Sequence, residues 1–183
     1  ALVDVEFNVE NTANALHDIK TLADMASGYN LVFSEANEAD IVAFMTDVWN
    51  ALGKGKDGLY TEKITLTFRD ADGLTAKFTL AKGDPNVTME VQMKDGKGNI
   101  ITMTGRAGSI EKAVKGSFAL KSFISDGGYD TTTFEGPKGM SQCLKDLVAN
   151  FSSFGLDEFA LKTQVGAFIL TAEGGSFLRV AAS

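Results

Sequence analysis

The chain has 183 residues, of which 44% are hydrophobic and 22% charged, a length and composition that suit one globular domain over residues 1–183 with a core large enough to need no staple. Its formal net charge of -7, without a dense Lys/Arg cluster, argues against nucleic acid as a partner. No apolar run approaches the roughly 20 residues that cross a bilayer, and the single cysteine, Cys143, has no intramolecular disulfide partner. The opening from Ala1 lacks the charged and apolar regions of a signal peptide, which leaves removal of an earlier leader open.

The first ten residues alternate, with Val3, Val5, Phe7 and Val9 on one side and Asp4, Glu6, Asn8 and Glu10 on the other, which is the pattern of a strand. Such a strand pairs with its own sheet or with the edge of a neighbouring copy, because its amides and its apolar side both need partners. Asn11 or Thr12 then caps a helix whose Leu16, Ile19, Leu22, Ala23 and Met25 form the inward stripe, and Gly28 suits its left-handed end. His17, beside Lys20 and Asp24, falls on the solvent side. Tyr29 to Phe33 reads as a short strand or an extended link. Ser34 and Asn37 offer caps to a second helix with a broad stripe of Ile41, Phe44, Met45, Val48, Trp49 and Leu52, stopped by Gly53.

From Thr61 to Ile124 the two-residue period predicts five consecutive strands, punctuated by turns at Asp70–Gly73, Gly83–Asn86 and Asp95–Asn99. In the fifth, Val114, Phe118, Leu120 and Ile124 share parity, with Gly116 as a bulge or bend. Tyr129 to Phe134 is a further β candidate. A third helix carries Met140, Cys143, Leu144, Leu147, Val148 and Phe151 inward, Asp157 to Leu161 reads as another helical turn, and two strands, Thr163–Thr171 and Ser176–Ala181, form a hairpin around Gly174 and Gly175. The expected fold is α+β: a curved antiparallel sheet built from the central five-strand meander, the N-terminal strand and the C-terminal hairpin, with about three helices on one face.

Motifs with catalytic or cofactor meaning occur only out of context. Gly53, Gly55 and Gly58 spell Gly-x-Gly-x-x-Gly, but a helix precedes them and a strand follows, the reverse of the dinucleotide arrangement. Asp70, Asp72 and Gly73 open like a calcium loop without its remaining ligands, and Asp126 to Asp130 is a fragment of another, so calcium at these turns is left open and no metal ligand is assigned. Cys143 and His17 are the only Cys/His pair available, and Cys143 lies on an apolar helix face. The solvent side of the sheet carries Thr65, Thr67, Thr75, Thr79, Thr88, Thr102 and Thr104, which suit exposed strands by propensity and could also meet ice, a glycan or another copy; Lys77, Glu90, Gln92 and Lys94 break the array.

The functional expectation is therefore a non-catalytic protein, secreted or surface-associated, with a structural or binding role and with self-association through strand edges. Val3, Val5, Phe7 and Val9 are the candidate assembly strand. The alternative is a carrier of a small apolar ligand, lipid-like or haem-like, between sheet and helices, with Phe44, Met45, Trp49, Met89, Met93 and Met103 as candidate cavity lining. An enzyme with dispersed carboxylates is a weaker third reading. No cofactor is assigned.

Overall fold

The computed structural model describes residues 3–178. Eight strands form one antiparallel sheet whose spatial order is the chain order: β1 Val3–Phe7, β2 Lys63–Arg69, β3 Thr75–Ala81, β4 Asp84–Lys94, β5 Ile100–Ala107, β6 Glu158–Thr163, β7 Gly166–Thr171 and β8 Gly174–Leu178. Two helices, α1 Thr12–Ala26 and α2 Glu38–Ala51, are inserted between β1 and β2; α3 Ile110–Asp126 and α4 Met140–Ala149 are inserted between β5 and β6. Each insertion returns the chain beside the strand it left, so β1 and β8 remain the two edges of the sheet.

Alternation decides which face is covered. Ile64, Leu66, Phe68, Ala76, Phe78 and Leu80 point into one apolar cluster with Ile41, Phe44, Met45 and Val48 of α2 and with Val114, Leu120 and Ile124 of α3. Phe33 stacks on Phe118 with ring centroids 4.3 Å apart and also meets Phe68 and Phe78, which ties the link before α2 to sheet and α3 together. The threonine face points the other way. Thr65, Thr79, Thr88 and Arg106 lie in one cross-strand row that continues to Glu158, 3.8 Å from Arg106.

Several expected elements differ. The fifth meander strand is α3. A spacing of four residues is even, so Val114 with Phe118 and Leu120 with Ile124 satisfy both the strand and the helix period; Ala113 and Ser117, both buried, follow only the helical one. Ser109 starts that helix by accepting the Lys112 N–H at 3.1 Å. Gly116 is a close-packing position rather than a bulge, since an added Cβ would stand 2.5 Å from Leu156 Cδ2 and 2.7 Å from the Phe154 carbonyl oxygen. Asp157 to Leu161 is not a helical turn: it enters β6, where Phe159 and Leu161 are buried and Lys162 is exposed. Tyr129 to Phe134 forms no strand, because it is bound as a loop to the β4–β5 turn.

The third expected helix stops at Ala149, so Phe151 begins a separate 3-10 turn and Val148 is exposed. Gly28 does not take the left-handed conformation; Ser27 closes α1 in right-handed geometry by donating its N–H to Ala23. Tyr29 to Phe33 is a link whose Phe33 N–H donates to the Arg69 carbonyl at 2.8 Å. At the C-terminal side the β7–β8 turn is Ala172–Glu173, with Gly174 already paired to Thr171. Residues 179–181 of the expected last strand lie outside the described residues.

Candidate functional site: the groove between the first strand and the first helix

The rotation of α1 is set by a carboxylate. Asn11 caps the helix by accepting the N–H groups of Ala13 and Asn14, and two turns later Asp18, fully buried, accepts the Tyr60 N–H at 2.8 Å and the Thr61 N–H at 2.9 Å. His17 lies beside it, its Nε2–H donating to the Gly58 carbonyl at 2.9 Å and its ring edge-on to Tyr60. The helix is thus fastened by a polar flank to residues 58–61, the link that leads into β2. Turning the apolar stripe inward would strand Asp18 and two amides, at about 1–3 kcal/mol for each unpaired group. The expected stripe is displaced outward as a result: Leu16 is 62% and Ile19 55% exposed, and Leu22 is the only fully inward apolar residue of α1. His17 is correspondingly half-buried and bonded, not solvated as its neighbours suggested.

Strand β1 supplies the facing wall. It pairs within its own chain, Val3 opposite Phe68, Val5 opposite Leu66 and Phe7 opposite Ile64. Lys82 N–H donates to the Glu62 carbonyl, so the even-numbered residues of β2 bond to β3 and its odd-numbered residues to β1. Through the register Asp4–Thr67 and Glu6–Thr65, it is Asp4 and Glu6 that hold β1 to the sheet. The N–H and C=O groups of Val3, Val5 and Phe7 face away from it, along the open edge.

Between these two walls runs an apolar groove of about 710 Å³, sided by Val3, Val5 and Phe7 of β1 and by Ile19, Ala23 and Ala26 of α1, with Leu22, Leu31 and Phe44 at its base. The helix residues recur at three- and four-residue intervals and the strand residues at two, so each element gives the groove a single face. At one mouth Tyr29 donates its hydroxyl to Asp47 at 2.6 Å, and the Asn30 N–H donates to Asp40 at 2.9 Å. The bond to Asp47, with that carboxylate's charge and the charge of Asp40, raises the Tyr29 pKa above its ordinary value. Asp4, on the solvent side of β1, is paired with Arg69.

Of the candidate cavity residues, only Phe44 reaches this groove. Met45, Met93 and Met103 are buried in the common core, and Met89 accepts a hydrogen bond from the Ser117 hydroxyl at its sulfur. Trp49 packs half-buried against the core outside this groove, its Nε1–H donating to the Asp84 carbonyl at the start of β4 at 2.9 Å. Of the candidate assembly strand, Val3, Val5 and Phe7 form the groove wall, and Val9 lies beyond the end of β1. Ile19, Ala23 and Ala26 were missed as site residues although their helical spacing was legible, because nothing local in the sequence marks Asp18 as the buried anchor that turns them outward.

The other motifs resolve into structure. Gly53 and Gly55 donate their N–H groups to Thr61 and Leu59 carbonyls, which leaves neither for a phosphate, and a Cβ at Gly58 would meet the Ala51 carbonyl oxygen at 2.7 Å. Asp70 accepts the N–H groups of Asp72 and Leu74 and pairs with Lys121, while Asp72 pairs with Lys94. No group of three or more metal-ligating side chains occurs among the described residues. Cys143 is fully buried, and its thiol pKa is pushed up to about 12 by burial first and by Asp146 and Asp95 second. No helix among the described residues is long and apolar enough to cross a membrane.

No protein-family model matches the chain, and neither a curated protein nor a solved structure matches it.

Proposed function

We propose that the chain is a non-catalytic binding protein that captures an extended segment of another chain, or of another copy, by strand addition to β1. The observation that carries this reading is the coincidence of two things at one edge: the outward main-chain groups of Val3, Val5 and Phe7, which have no strand partner among the described residues, and an apolar groove into which the same residues direct their side chains. An added strand gains affinity from the main-chain bonds and specificity from alternate side chains seated between β1 and α1.

A short end-capped peptide of alternating valine and threonine, titrated calorimetrically, tests it. The peptide binds, and its counterpart N-methylated on the residues that face β1 does not. Equal binding of the two, or no binding of either, contradicts strand addition. A second reading, capture of a small apolar ligand in the same groove, is favoured by the volume alone, which falls within the roughly 300–1,000 Å³ of small-molecule sites. Val5→Pro separates the two: it removes an outward amide and so abolishes peptide binding, whereas a fatty alcohol would still enter.

A further inference from the structure

We infer that the segment added to β1 is a basic one, with lysine or arginine alternating with apolar residues; this rests on the strand-addition reading and names the chemistry of its partner. A strand laid along the open edge seats its apolar residues against Val3, Val5 and Phe7, and its intervening residues then stand on the solvent face opposite Asp4 and Glu6. Directly opposed side chains in an antiparallel pair lie about 5 Å apart, close enough for opposite charges to attract and like charges to repel. Asp4 is already paired with Arg69, but Glu6 faces Thr65 on the sheet side, and among the described residues no ion pair involves it.

The groove mouth has the same sign. Asp47 and Asp40 border Tyr29 there, and neither is in an ion pair among the described residues. Lys20, the only lysine or arginine on α1, and Lys63 and Arg69 of β2 are three cations against the four carboxylates Asp4, Glu6, Asp40 and Asp47. The field over the edge is therefore negative, and it favours a cationic segment in encounter and in register.

The same charges disfavour a second copy of β1 as the occupant. In an antiparallel pair of β1 strands centred on Val5, Asp4 of one copy stands opposite Glu6 of the other, and the arrangement occurs twice by symmetry.

The test compares end-capped peptides of equal length in which valine alternates with lysine, threonine or glutamate, titrated at low and at physiological salt. The lysine peptide should bind at least about tenfold tighter than the glutamate peptide, with a gap that narrows as salt rises. Glu6→Lys should reverse that order. If all three peptides bind equally, strand addition stands and the basic partner is overturned. If none binds, the strand-addition reading itself fails. If the protein alone forms oligomers that the lysine peptide cannot compete away, the occupant is another copy and the basic partner is again overturned.

Discussion

Asp95 gathers the tip of the β4–β5 hairpin around one carboxylate. It accepts the N–H groups of Lys97 and Asn99 at 2.8 Å, the Asn99 side-chain amide at 2.9 Å, and the N–H and hydroxyl of Thr131 at 2.8 and 2.7 Å. Burial pushes its pKa up, and the hydrogen bonds from Thr131 and Asn99 outweigh that and hold it at about 2 against an ordinary 3.8. A depressed carboxylate stabilises the fold above its unfolded pKa, so this contribution of about 2 kcal/mol is complete above roughly pH 5 and is lost as the pH falls from about 4 to about 2. Asp95→Asn should therefore be less stable than the parent by denaturant titration at neutral pH, and the two should converge by about that amount near pH 2. Cys143 gives a second residue-scale expectation. With no exposed surface and a thiol pKa near 12, it should react with a disulfide reagent only through opening of the fold, at a rate that climbs with added denaturant. Rapid full labelling of the native protein would contradict its placement.

At the scale of elements, α3 and its neighbours show where opposing tendencies meet. Gly116→Ala raises helix propensity by about 1 kcal/mol, yet its methyl group would press on Leu156 and on the Phe154 carbonyl, an overpacking cost of about 1–3 kcal/mol. The net effect should be a lower melting temperature, and a higher one would mean that the 3-10 turn Phe151–Phe154 yields easily. Val5→Pro should keep the fold, because Asp4 and Glu6 carry the bonds to β2 and proline is tolerated on an edge strand. Much of this layer was legible. β1 to β4, α2 and the separation of a covered from an open sheet face follow from periods of two and of three to four residues that only one kind of element can satisfy. α3 was lost because Val114, Phe118, Leu120 and Ile124 suit both periods, and β6 because Asp157 and Glu158 resemble a helix start. For the site, β1 was readable as an amphipathic strand. Its helical wall was not, since the outward rotation of α1 depends on Asp18 meeting amides 42 and 43 residues away.

The described residues form a sheet with one face covered by helices and with β1 and β8 as its outer strands, and the helical cover is incomplete at β1. There the hydrophobic layer ends in a groove, and the ladder ends in outward amides without a strand partner among the described residues. Natural edge strands are usually protected by charge, brevity or a covering segment; β1 has the first two, in Asp4, Glu6 and its five residues. Its apolar side remains accessible all the same, half-buried from Val3 to Phe7. Amide hydrogen exchange along β1, resolved residue by residue with and without a saturating valine–lysine peptide, tests the binding role of this edge most directly. In the free protein the amides of Asp4 and Glu6 should exchange slowly and those of Val5 and Phe7 quickly; with peptide bound, Val5 and Phe7 should slow as well. Protection of Val5 and Phe7 in the free monomer, or fast exchange at both in the saturated complex, would contradict strand addition at β1.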